Sequence, residues 1–140
     1  MSPILGIAEA VLYVDDLKEA IGFYTEVLEL PLSASFTDAA FLQTGRNSTL
    51  ILFDRHKLRE RESVIPSHGS SGPGHVALAV PEAEMDNWRS RLEAAGVPIE
   101  HEQRWPQGTN SIYFRDPAGN SVELIESAHY QRVWERLQAE

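Results

Sequence analysis

The chain of 140 residues contains no cysteine. Disulfides, thiolate ligation and cysteine nucleophiles are therefore excluded, and any metal must be held by carboxylate, imidazole or water. Positive charge is also scarce: 12 Lys and Arg stand against 21 Asp and Glu, a formal net charge of −9. That balance argues against nucleic acid or an anionic membrane as a partner. No apolar run approaches the roughly 20 residues that a membrane-crossing helix needs. Met1 to Ala10 has no basic region and an early acid, so no signal peptide is expected and the expected location is the cytoplasm. What remains, 42% hydrophobic and 24% charged, is ordinary globular composition for one compact unit or two small modules sharing a core.

The sequence repeats itself. Glu9-Ala10-Val11-Leu12-Tyr13-Val14 is echoed by His75-Val76-Ala77-Leu78-Ala79-Val80. After the first copy, Asp16 caps a helix expected at about 17–29, where Leu17, Ala20, Ile21, Tyr24, Val27 and Leu28 fall at helical spacing and Pro31 stops it. After the second, Pro81 opens a helix at about 82–95 carrying Met85, Trp88, Leu92 and Ala95, and Gly96 ends it. Three strands follow each helix, at about 32–37, 39–44 and 48–54, then at about 97–104, 109–115 and 120–126. The turn Asp116-Pro117-Ala118-Gly119-Asn120 precedes the last strand.

The pattern is strand, helix, strand, strand, strand, twice, an α+β class. It gives one domain over 1–140: module 1 at about 4–54, a linker at 55–73, module 2 at about 74–126, and a C-terminal helix at about 128–138. Tyr130, Val133, Trp134 and Leu137 share one face of that helix. The copies are offset by 66 residues at their first strands and by 72 at their last, if Ile51 is set against Glu123.

Strand alternation sorts the faces. Leu12 and Val14 should pack on the first helix, leaving Glu9, Val11 and Tyr13 on the other face. By the same rule His75, Ser111, Tyr113 and Glu123 face away from the second helix. Glu9 and His75 occupy matched positions, and Glu123 interrupts the apolar run Val122-Glu123-Leu124-Ile125. A buried carboxylate is expensive unless it is paired or holds a cation. Two carboxylates with an imidazole suit a hard or borderline divalent ion. His56, His68, His101 and His129 read as solvated, with His68 the best placed to close over a site because its loop is flexible. Arg115 reads as a brace for the Asp116 turn. Trp105-Pro106 either lines the mouth of a site or makes a plain aromatic contact.

The chain resembles the vicinal oxygen chelate superfamily, which includes glyoxalase I, fosfomycin-resistance enzymes, extradiol dioxygenases and bleomycin-resistance proteins. The resemblance rests on Val11 to Leu17 leading to Phe23-Tyr24, on Gly74 to Val80, and on Tyr113 to Leu124. It implies two βαβββ modules forming a half-barrel pair. It also implies ligand positions at Glu9, Ile51, His75 and Glu123, of which Ile51 is unable to bind metal. One divalent ion per site is then implied, Zn, Ni, Mn, Co or Fe, held by Glu9, His75 and Glu123. Tyr113 and Ser111 take substrate-binding positions, and Glu123 or Glu9 serves as the catalytic base.

The implied partner is a small substrate whose oxygens chelate the ion, and a glyoxalase-like isomerase or lyase reaction is the first reading. An Fe(II) extradiol-type dioxygenase or a fosfomycin-type thiol transferase is the alternative. Val11 replaces a threonine of the fosfomycin enzymes and Gln103 a lysine, which argues against fosfomycin itself. A metal-free protein that sequesters a drug or metabolite is the alternative of another class. The resemblance also implies a homodimer whose sites take Glu9 from one subunit and His75 with Glu123 from the other.

Overall fold

The structure, a computed structural model, describes residues 3–139 apart from the side chains of Trp134 and Leu137. The apolar-face positions expected for those two lie outside the described residues. Two compact units meet in the chain at Gly74 and His75. The first contains β1 (Glu9–Val14), α1 (Leu17–Gly22), β2 (Leu32–Ser35), β3 (Ala39–Gly45), β4 (Ser48–Asp54) and α2 (Arg55–Glu60). Its sheet runs β1-β4-β3-β2. The second contains β5 (His75–Val80), α3 (Met85–Ala94), β6 (His101–Arg104), β7 (Asn110–Arg115), β8 (Ser121–Glu126) and α4 (Ala128–Ala139). Its sheet runs β5-β8-β7-β6, the same order one module later. Two mixed four-stranded sheets with their helices are the α+β class that the repeat implies, and their matching strand orders agree with the paired modules that the family resemblance implies.

The faces sort as the alternation requires. Leu12 and Val14 of β1, Leu17 and Ala20 of α1, and Tyr24 just after it are all buried, and α1 packs on β3 and β4. In the second unit Ile112, Phe114, Val122 and Leu124 are almost wholly excluded from solvent. The repeat holds at the level of pairing. Val11 lies opposite Ile51 in the parallel pair β1–β4, and Ala77 lies opposite Glu123 in β5–β8. Ile51 and Glu123 are therefore equivalent positions, reached by the two offsets read from the sequence.

Several element ends differ from the sequence expectation. The first strand begins at Glu9 rather than near residue 4, because its partner strand gives out: Glu9 lies opposite Thr49, one residue into β4. The strand expected from residue 97 begins at His101, and Pro98 has no N–H to give a ladder. The helix after Asp16 starts as expected, with the Asp16 carboxylate accepting from Glu19 N at 3.0 Å, but continues as one π turn over Phe23–Val27. Residues 55–60, read as linker, form α2. Asp54 Oδ1 accepts from both His56 N and Lys57 N at 3.0 Å, so the last residue of β4 is also a helix cap.

The turn before β8 is as tight as its composition indicates. Asp116 Oδ1 accepts from Ala118 N and Asn120 N, and Gly119 takes a φ of 87°. Arg115 braces it, donating to Gly119 O at 3.1 Å and to both oxygens of Glu100.

Candidate metal centre and adjoining pocket

β5 opens with His75, paired to Ser121, and Glu123 stands two residues further along β8. His75 Nδ1 lies 3.0 Å from the Ser121 carbonyl. A carbonyl only accepts, so Nδ1 carries the proton, and in neutral imidazole Nε2 then holds a lone pair. That lone pair faces Glu123 Oε1 across 3.3 Å. Two acceptors set face to face repel unless a proton or a cation lies between them. The His75 side chain is 50% exposed and that of Glu123 8%, so the imidazole side of the pair is open.

The rest of Glu123 is tied down. Its Oε2 accepts from Ser111 Oγ at 2.7 Å, and Trp105 Nε1 donates to the same hydroxyl at 2.9 Å. Tyr113 pairs directly across from Glu123 on β7. Its ring lies nearly parallel to that of His75, centroids 6.3 Å apart. Burial, and then the charge of Glu123 beside it, push the Tyr113 phenol above its ordinary pKa. Tyr113 is therefore a proton-bearing donor throughout the neutral range.

The first unit presents a different surface. Glu9, at the start of β1, borders a cavity of about 800 Å³. Val11, Tyr13, Phe36, Phe41, Phe53 and Ile65 give it an apolar wall, and Thr37, Asp38, Arg61 and His68 add polar groups to that of Glu9. Arg61 Nη1 stands 3.4 Å from Asp38 Oδ2. His68 is exposed but not loose. Its Nδ1 lies 2.5 Å from the Tyr13 hydroxyl and its ring packs edge-on to Phe53 at 4.9 Å. Burial raises the Tyr13 pKa. Ile51, the counterpart of Glu123, joins Ala39, Phe53 and Leu58 in a small apolar cluster.

Of the expected site residues, the structure brings His75, Glu123, Ser111 and Tyr113 together in the second unit, while Glu9 belongs to the first. Among the described residues no three His, Cys, Asp or Glu side chains gather as a metal cluster. The His75–Glu123 donor pair nevertheless fits a borderline divalent ion, with a fixed tautomer and a tethered carboxylate. Ser111, expected to touch substrate, is fully buried with its hydroxyl engaged on two sides. His129, expected to be solvated, is buried, with Nδ1 2.6 Å from Thr109 Oγ1. Trp105 and the docked position of His68 carry no spacing or composition signal, because loops set both contacts.

The family model of the Glyoxalase/Bleomycin resistance protein/Dioxygenase superfamily matches residues 6–124. A crystal structure of lactoylglutathione lyase from Agrobacterium tumefaciens is 39% identical and superposes with a TM-score of 0.85, over 95% of this chain and 98% of that one. Glutathione transferase FosA of Serratia marcescens is 33% identical over 116 residues, 81% of this chain and 74% of its own. Metallothiol transferase FosB of Bacillus licheniformis is 28% identical over 136 residues, 96% of this chain and 81% of its own. With the repeated strand order, the matched register of Ile51 and Glu123, and these similarities, the chain belongs to the glyoxalase/bleomycin resistance protein/dioxygenase superfamily.

Proposed function

We propose that the protein is a divalent-metal-dependent enzyme performing a glyoxalase-like isomerase or lyase reaction on a small, oxygen-chelating substrate that carries an apolar group. The observation that carries this reading is the His75 Nε2 lone pair facing Glu123 Oε1 at 3.3 Å, with the opposite edge of each side chain already hydrogen-bonded. When bound, the ion supplies Lewis acidity to the substrate oxygens.

His75 and Glu123 hold the ion, and Glu9 of the partner subunit completes the protein ligands. Tyr113, kept protonated, donates a hydrogen bond to a substrate oxygen. A Glu9 or Glu123 carboxylate takes a proton from one substrate carbon and returns it to the neighbouring carbon, so no atom is gained or lost. The apolar wall beside Glu9 suits the hydrocarbon part of the substrate. A phosphonate would meet Glu9 and Asp38 there, with Arg61 drawn towards Asp38.

A homodimer supplies the missing ligand. Support comes from the division of the ligands between the two units and from Ile4, Leu5 and Ile7, which are 94, 95 and 83% exposed ahead of β1. Apolar side chains so exposed in succession fit a contact with another copy.

Metal analysis of protein purified without added metal, then loading with Zn²⁺, Ni²⁺, Mn²⁺, Co²⁺ or Fe²⁺, tests the reading. The loaded forms are assayed with 2-oxoaldehyde–thiol adducts, catechols, and an epoxide with a thiol, in air and under nitrogen. Turnover of the adduct without oxygen consumption is expected. The similarity to FosA and FosB supports thiol addition to an epoxide as the second reading, and the epoxide assay separates the two. Turnover of catechol alone, with iron and oxygen, would replace both with ring cleavage. Tight ligand binding without turnover would make the protein a sequestering one.

A further inference from the structure

The Ser111 hydroxyl has only one proton, and its surroundings dictate where that proton points. Ser111 is wholly excluded from solvent, with Trp105 Nε1 at 2.9 Å and Glu123 Oε2 at 2.7 Å. An indole N–H only donates, so the serine oxygen accepts from Trp105 and its own proton is directed to Glu123.

Trp105 is itself fixed. Its backbone N–H donates to Thr109 O at 2.8 Å, and its carbonyl accepts from Gly108 N at 2.9 Å, closing the loop between β6 and β7. Its ring packs against buried His129, centroids 5.4 Å apart.

We propose that Trp105 is a positioning residue for the metal ligand Glu123, acting through Ser111. By setting the direction of the Ser111 hydroxyl it occupies Oε2 and presents Oε1 alone beside His75 Nε2. This rests on the reading of His75 and Glu123 as ligands. It gives Ser111 a role different from the substrate contact implied by the family resemblance. Groups that orient a ligand in this way change metal affinity roughly 10- to 100-fold when removed.

The test is Mn²⁺ binding by calorimetry to the metal-free parent, Trp105→Phe, Ser111→Ala and the double variant. Phenylalanine keeps most of the packing and removes the N–H. About ten-fold weaker binding is expected for W105F and at least that for S111A. If Trp105 acts through Ser111, the double variant binds no worse than S111A alone. Parent-like affinity in W105F, or losses that multiply in the double variant, would overturn the role.

Proton NMR of the metal-free protein gives a second readout. Three tryptophans give three indole N–H resonances, and W105F identifies the one from Trp105. That resonance should move in S111A, and one that stays in place would also overturn the role. A parent that binds no Mn²⁺ overturns the ligand reading and this role with it. A parent that binds while W105F matches it overturns this role alone.

Discussion

At Glu123 the cost of desolvating a carboxylate is offset in part by a serine hydroxyl on one oxygen and a phenol across the strand pair, while the imidazole lone pair beside the other oxygen calls for a proton or a cation between them. Glu123→Gln keeps the volume and still accepts from Ser111 but loses the negative charge. His75→Ala removes the other donor. Both variants should fold, and both should bind at least ten-fold less metal, measured as metal content after dialysis against a buffered metal solution. Retention of parental metal in both would remove the assignment.

Tyr113 makes a separate prediction. Its pKa is raised in the folded protein, mainly by burial. Its contribution to stability is therefore fully present below its unfolded pKa, about 10, and is lost as pH rises through the higher folded value. Ultraviolet titration should show late tyrosinate ionisation whose amplitude falls by one tyrosine in Tyr113→Phe, the remainder including Tyr13, whose pKa burial also raises. The same variant should lower kcat about ten-fold, the effect of one lost hydrogen bond to developing charge. His75 and Glu123 were legible in the sequence because each breaks an alternating or apolar pattern. Trp105 and His68 stood out there too, but their contacts with Ser111 and Tyr13 did not, because loop geometry sets them.

Among the elements, α2 shows how a boundary residue can hide a helix. The segment Arg55 to Glu60 has a charged sequence and a single buried residue, Leu58, so periodicity offers little signal. Its N-cap, Asp54, also closes β4, and a strand's last residue does not announce a helix. Asp54→Ala removes acceptors for two backbone N–H groups and should cost about 1 kcal/mol. Thermal unfolding should shift down by a few degrees. Arg61, Ile65 and His68 follow α2 and border the apolar cavity, so affinity for an apolar ligand should weaken in D54A. Metal binding through His75 and Glu123 should not change. The order of elements along the chain and the equivalence of Ile51 and Glu123 were readable from the duplicated pattern, whereas the order of strands within each sheet was not, and strand ends followed the reach of partner strands and the lack of an N–H at Pro98.

For the whole molecule, the proposed dimer makes subunit exchange informative. Sedimentation at micromolar concentration should give a dimer. Glu9→Gln alone and the H75A/E123Q double variant alone should both be inactive. After mixing, hybrid dimers would hold one intact site and one site carrying all three substitutions, and activity should return. If mixing restores nothing while each variant still sediments as a dimer, the ligands do not come from different subunits.

The equivalence of Ile51 and Glu123 bears on how such a chain changes over generations. At one of the two equivalent positions stands an isoleucine buried in a small apolar cluster, and at the other an acid. On the proposed reading, substitutions around Ile51 would alter which molecule fits without touching a ligand, whereas those at Glu123, or at Glu9 in the first half, would alter which ion is gripped. Substrate range and metal preference would then vary as separate traits, set at equivalent positions of one repeated pattern.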